Sequence, residues 1–347
     1  MRAAVFVVPG SIETRTGGYE YDRRMRDGLR ARGWTIDVRE LSAAFPFPSP
    51  GDLAQAAAVL RSIPSGATVV VDGLAYGAMP DLAAIEAARL RLIALVHMPL
   101  AHDASLAPPT AARLEAFERR ALASASRVIV TSRSMPPVLA GYGVSRDRIV
   151  VVEPGTDRTP IARGSANPSE VHLVSVASVT RGKGHDLLIE ALAAIPQQNW
   201  TLTCAGSHDR DPEFVSRLKA LIGERGLSRR VSLTGALDGA ALNGVYDSAD
   251  VFVLATLGET YGMAVAEALA RGLPVVSTTT GAIPDLVGAD GGLLVPPGDV
   301  AALASALRAM LADARLRIRL AAGARAVRGR LPTWDEAAGK MSAALDG

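Results

Sequence analysis

The chain has 347 residues, 49% apolar and 21% charged, a net charge of +2 and one cysteine. That composition describes a folded globular protein long enough for two domains with separate cores. It excludes a disulfide scaffold and gives no electrostatic reason to expect nucleic acid as a partner.

The opening MRAAVFVVPG is too short an apolar run for a secretory signal. No stretch approaches the roughly 20 apolar residues of a membrane span, so the expected location is the cytoplasm. From this strand onward, short runs rich in Val, Ile and Leu alternate with amphipathic segments, the pattern of parallel sheets wrapped by helices. The first series is AAVFVVPG, TIDVREL, TVVVDG, RLIALVHM, RVIVTS and RIVVVEP, with helices expected at about 19–32, 51–62, 81–90 and 111–125. PGTDRTPIARGSANPSE has no period and many Pro, Gly and polar residues, so it reads as a linker with the boundary near 157–170.

A second series then begins: VHLVSVASV, WTLTCAGS, RVSLTG, ADVFVLAT, LPVVSTT and GGLLVPP. Cys204, inside WTLTCAGS, reads as a buried, unreactive thiol. After residue 300 the pattern is helical only, and Pro332, Thr333 and Trp334 start a last amphipathic helix. The expected organisation is an α/β protein with two Rossmann-like, doubly wound domains, 1–160 and 170–330, and a terminal helix over 331–347 packing back on the first. Ligands of such sheets bind at the carboxyl ends of the strands.

Several chemistries have no motif here. There is no G-x-G-x-x-G after the first strand, no phosphate-binding G-x-x-x-x-G-K, no G-x-S-x-G, and no His or Cys cluster at metal-ligand spacing, so no metal is expected. What stands out is GETYGMAVAEALARGLPVV, with Glu259 on the loop leaving a buried strand and Glu267 on the helix behind it. Paired carboxylates accept hydrogen bonds from sugar hydroxyls, and the amides of Tyr261, Gly262 and Met263 at the helix start offer donors to an anion. Either glutamate alone reads as a solvated surface charge. Together they suit a polyol joined to a phosphate.

LGETYGMAVAEALARGLPVVSTTTGAIPDLV resembles the E-x7-E segment of retaining glycosyltransferases of the family 4 type. VASVTRGKGHDLLIEAL resembles the same family's phosphate-binding segment, with Lys183 at the lysine position. Ser178 stands where the family has an arginine, and Arg181 three residues later is the candidate second cation. Gly17 and Gly18 match the paired glycines of the first glycine loop, and His97 in ALVHMPL sits where the family places a histidine against the transferred sugar.

The resemblance implies a GT-B fold, two such domains facing a cleft with the donor held mainly by the second, and a retaining, metal-independent hexosyl transfer from a UDP- or GDP-linked sugar to an unidentified acceptor, with no cofactor. Glu259, Lys183 and His97 would then be catalytic. Arg181, Ser178, Glu267, Tyr261, Gly262, Met263, Gly17 and Gly18 would bind the donor, Glu267 through the ribose. A GT-B epimerase or hydrolase, and a non-catalytic sugar-nucleotide-binding protein, stay open beside it; a dinucleotide-dependent oxidoreductase is the weakest alternative.

Two further signals carry less. The Asp-x-Asp of HDRDPEF reads as a surface loop in which Asp211 and Pro212 open the next helix. Arg23, Arg24, Arg26, Arg30 and Arg32 on the first helix read as a solvated face, favoured over peripheral contact with an anionic membrane.

Overall fold

A computed structural model describes residues 2–167 and 169–347, and the chain divides into two compact units. Met1, and Pro168 within the expected linker, lie outside the described residues. The first unit is Met1–Gly155 with Pro332–Gly347, and the second is Thr156–Leu331.

The first unit runs β1 (Ala3–Pro9), α1 (Gly17–Ala31), β2 (Thr35–Leu41), α2 (Pro50–Arg61), β3 (Thr68–Asp72), α3 (Gly73–Tyr76), α4 (Pro80–Glu86), β4 (Arg91–Val96), α5 (Pro108–Ala123), β5 (Arg127–Val130), α6 (Met135–Gly141) and β6 (Ile149–Val151). All six strands are parallel, in the order β2-β1-β3-β4-β5-β6. Successive side chains of a strand point to opposite faces, and the two cores divide accordingly. Val7, Val69, Val71, Ala94, Val96, Val128 and Val130 fill one face. Ala4, Phe6, Val70, Ile93, Leu95 and Ile129 fill the other, against Tyr21, Met25 and Leu29 of α1.

The second unit runs β7 (Val171–Val176), α7 (His185–Ala193), β8 (Trp200–Ala205), α8 (Pro212–Glu224), β9 (Val231–Gly235), α9 (Gly239–Asp247), β10 (Val251–Leu254), α10 (Met263–Ala270), β11 (Val275–Thr278), α11 (Ile283–Val287), β12 (Gly292–Val295), α12 (Val300–Ala312) and α13 (Ala314–Arg328). Its parallel strands lie in the order β12-β11-β10-β7-β8-β9. Cys204 is buried and free, and burial pushes its thiol up to about 12, so it is unreactive at neutral pH.

The last helix, α14 (Trp334–Asp346), belongs to the first unit. Thr333 and Glu336 form a reciprocal capping box at its start. Ala337, Met341, Ala344 and Leu345 join the α1 face of the core. Trp34 Nε1 donates to Ser342 Oγ at 2.9 Å, and Arg91 and Arg127 donate to the carbonyls of Leu345 and Ala344, supplying the last turn with donors and positive charge.

Some local expectations change. The helix expected over 81–90 ends at Glu86, because the amides of Arg89 and Leu90 turn back onto the Glu86 carbonyl and Arg89 binds the carbonyls of Leu60 and Ile63. The short α3 before it, capped by Asp72, has too few residues to show a period. The stretch read as a linker is fastened along the second unit. The Ala162 amide donates to Arg271 O and the Gly164 amide to Asp247 O, both at 2.9 Å, and Arg163 pairs with Asp247.

The arginines of α1 lie at the surface and are engaged there. Arg23 and Arg24 pair with Glu20, Arg26 with Glu13 and Asp27, and Arg32 with Asp335, while Arg30 donates to Ile36 O. Asp211 and Pro212 do open α8, with Asp211 accepting from the Phe214 amide at 3.0 Å.

Candidate active site

In each sheet the strand order reverses once, between β1 and β3 in the first unit and between β7 and β10 in the second. The loops leaving neighbouring strands diverge there, which opens a crevice at the carboxyl ends. The candidate residues gather at these two places.

In the second unit, Thr180 to Lys183 follow β7 and Thr256 to Glu259 follow β10. The Thr256 hydroxyl lies 3.1 Å from Gly182 O, and the Leu257 amide donates to the same carbonyl at 2.8 Å. A Cβ on Gly184 would sit 2.0 Å from Ala255 O, so only glycine lets the loops approach this closely, and Gly184 also has φ 65°. Lys183 Nζ consequently meets Glu259 Oε2 at 2.8 Å, with the two side chains 30% and 20% exposed.

Behind Glu259 the backbone is equally confined. Gly262 has φ 94° and is the N-cap of α10, which starts at Met263. A Cβ on Gly281 would lie 1.9 Å from Glu259 O, and the Ala282 amide donates to Thr260 O at 2.9 Å. The segment TGAIPDL therefore seats the glutamate loop. Tyr261 is buried, while Gly262 caps α10 and Met263 begins it.

Glu267, one turn into α10, accepts from the fully buried Tyr246 hydroxyl at 3.0 Å. Burial, then the Glu267 charge, pushes the Tyr246 phenol well above its usual value, so it stays a donor. The Tyr246 ring is in turn covered by the Arg271 guanidinium at 4.3 Å. Arg181 is exposed, and its side chain makes no hydrogen bond or ion pair with the described residues. Ser178, half-buried, borders the glycine turn after β8: a Cβ on Gly206 would lie 2.9 Å from its amide.

The first unit holds His97, Gly17 and Gly18. Gly17 starts α1, which Thr16 caps by accepting from the Tyr19 amide. His97 leaves β4 with Nε2 3.1 Å from Asp22 Oδ1 and 3.6 Å from Asp72 Oδ2. The two carboxylates escaped the sequence reading, although each had a signal. Asp22 interrupts the core-facing stripe of α1 formed with Met25 and Leu29, and Asp72 ends the apolar run TVVVD at the carboxyl edge of its strand. Among the described residues, the ligand-capable atoms of Asp22, Asp72 and His97 form the one cluster of three, all within 4.8 Å of one another. Hydrogen bonds already engage it, since Asp22 Oδ1 faces His97 and Asp72 Oδ1 accepts from the Leu74 amide at 2.7 Å.

Two Rossmann-like units, one with a lysine and a glutamate joined across its switch point ahead of a second helical glutamate, define the architecture of GT-B glycosyltransferases. Residues 26–159 match the model of Glycosyltransferase Family 4 and residues 170–313 that of Glycosyl transferases group 1. The chain belongs to the glycosyltransferases of the family 4 type.

Among similar proteins, the D-inositol 3-phosphate glycosyltransferase of Xylanimonas cellulosilytica is 34% identical over 273 residues, 72% of this chain and 65% of that one. The chain spans 50 to 65% of the length of the first curated relatives it matches. Sucrose-phosphate synthase of Thermosynechococcus elongatus superposes with a TM-score of 0.83 at 22% identity, covering 98% of both chains. HepE of Anabaena, solved with UDP and glucose, gives 0.78 at 19% identity over 99% of both. No helix among the described residues is long and apolar enough to cross a membrane.

Proposed function

We propose that the protein is a retaining, metal-independent glycosyltransferase that moves a sugar from a nucleoside diphosphate sugar, UDP- or GDP-linked, to a hydroxyl-bearing acceptor, with no cofactor. The observation that carries this reading is the Lys183–Glu259 pair at the β7/β10 switch point, where a cation and a hydroxyl-binding carboxylate stand 2.8 Å apart. A diphosphate sugar presents the complementary groups, a phosphate beside sugar hydroxyls. The second unit would hold this donor and the first unit the acceptor.

In this reading Glu259 accepts from hydroxyls of the transferred sugar, Glu267 takes the ribose diol, and Lys183 with Arg181 receives the charge that grows on the diphosphate. The start of α10 adds backbone donors. Ser178, which has no charge to offer, borders the donor diphosphate, and Arg181 supplies the second cation. In the same reading His97 is catalytic, and Gly17 and Gly18 bind the donor. The bond from the anomeric carbon to the phosphate oxygen breaks as the bond to the acceptor oxygen forms on the same face. The departing phosphate oxygen takes the acceptor's proton. Lysine and helix amides supply the electrostatic stabilisation that a divalent ion gives in other phosphate-leaving reactions.

The test is thermal stability of the wild type and of Glu267→Ala against millimolar UDP, GDP, ADP and NAD, each with and without EDTA. A ligand at about 100 times its dissociation constant adds roughly 2.7 kcal/mol. We expect one nucleoside diphosphate to raise the melting temperature of the wild type, EDTA to leave that shift intact, and Glu267→Ala to lose it. Stabilisation by NAD alone, or by none of the four, overturns the assignment, and a shift that EDTA abolishes overturns metal independence.

A further inference from the structure

Three elements close on His97. From α1, Tyr21 meets the imidazole edge-on with centroids 5.3 Å apart, and Asp22 lies 3.1 Å from Nε2. Gly18 adds a close approach, since a Cβ there would sit 3.4 Å from His97 Cδ2. From the end of β3 comes Asp72, 3.6 Å from the same nitrogen. Beyond β5, the Thr131 hydroxyl donates to the His97 carbonyl at 3.3 Å, fixing the backbone. The Tyr21 hydroxyl donates instead to Val152 O at 2.9 Å, so Asp22 and Asp72 are the charged groups facing the ring.

Burial sharpens the arrangement. Asp22 and Asp72 are 0% and 4% exposed, while the His97 side chain keeps 22%. Asp22 Oδ2 is buried with no hydrogen-bond partner among the described residues, so His97 is the partner that offsets burial of this charge. Both carboxylates face Nε2, where a bare lone pair would be repelled, so Nε2 carries a proton. Nδ1 has no partner among the described residues.

We propose that Asp22 and Asp72 are positioning residues that clamp His97 as an imidazolium, with Nε2–H on Asp22 and Nδ1–H left to donate to a substrate oxygen. The identity of that oxygen rests on the function proposed above; the clamp itself does not. The electrostatics agree in direction. Burial draws the imidazole toward neutrality, but the Asp22 charge and hydrogen bond, with Asp72 behind them, outweigh it and raise its pKa. Burial, then the Asp22 charge, raises Asp72 to about 7, so Asp72 is the carboxylate whose charge is lost first as the pH falls.

The test is a 15N-histidine NMR titration of the full chain, with His97 assigned by loss of its signal in His97→Gln. In the wild type we expect both ring nitrogens protonated at neutral pH and a midpoint above the ordinary value of about 6.5. Asp22→Asn keeps an acceptor for Nε2–H but removes the charge, so the midpoint should fall by about one pH unit or more with the tautomer retained. Asp22→Leu should lose the tautomer preference as well, and Asp72→Asn, a second variant should Asp22 changes unfold the chain, should lower the midpoint by less.

With donor and acceptor, Asp22→Asn should lose kcat about tenfold or more while nucleotide stabilisation persists. A wild-type His97 neutral at pH 7, or a midpoint unmoved by removing the Asp22 charge, overturns the clamp. If the midpoint moves as expected but no nucleotide binds, the clamp stands and the sugar-nucleotide reading fails.

Discussion

Lys183 and Glu259 are reached by loops from neighbouring strands and hold each other across 2.8 Å. Because both are partly exposed, the pair contributes at most about 1 kcal/mol to folding. In the proposed function its larger effect belongs to the transition state, where removal of one preorganised donor costs about 10²–10³ in rate. Lys183→Ala should therefore lower nucleotide release by about 10²–10³-fold while leaving the melting temperature of the unliganded protein nearly unchanged; a large loss of stability with little loss of rate would make the pair structural. Glu118, also a single residue, behaves in the opposite sense. It is 1% exposed, accepts from the Leu100 amide at 2.9 Å, and burial pushes its carboxyl up to about 8 despite that hydrogen bond. The unfolded chain releases this proton near pH 4.3, about where the group's contribution to stability begins to decline, and the contribution is gone above about pH 8. Glu118→Gln should flatten that slope. Melts at about pH 9 should show the variant more stable than the wild type, with the difference vanishing near about pH 4.

At the scale of elements, the pairing of α1 with α14 is the tightest helix contact in the first unit. A Cβ on Gly28 would come 2.5 Å from Ala338 Cβ. Alanine in place of a helical glycine gains roughly 1 kcal/mol of propensity, yet overpacking at a methyl with nowhere to move costs about 1–3 kcal/mol. Gly28→Ala should lower the denaturation midpoint, and adding Ala338→Gly should restore it; an independent, additive pair of effects would refute the contact. The strands of both units were legible because each is a short run of Val, Ile and Leu bounded by turn residues, and the glutamate loop was legible because glycines at 262 and 281 have backbone reasons to be there. The convergence of Asp22 and Asp72 on His97 was not, since it joins residues up to 75 positions apart through the order of three strands and a helix. The segment 156–165 escaped for a related reason. Its bonds to Asp247, Asp250 and Arg271 use mainly backbone groups, which leave no pattern in side-chain type.

For the whole molecule, the first unit is discontinuous: the chain leaves it after Gly155 and returns at Pro332. Both passages run side by side, since a Cβ on Gly155 would lie 2.2 Å from the Trp334 amide nitrogen. Removing residues 332–347 would expose Met25, Leu29 and Trp34 along one side of the sheet and orphan the Trp34 indole N–H. Such a truncation should destabilise the first unit selectively; proteolysis should cleave within 2–155 while the second unit still responds to nucleotide. The same layout has a consequence in time. A ribosome releases the second unit whole before it has delivered the helix that the first unit needs. The earlier-made half must therefore wait, with the α1 side of its sheet uncovered, until α14 has emerged. The order of synthesis and the order of completion are reversed, which makes Pro332–Gly347 a checkpoint on whether the first unit matures.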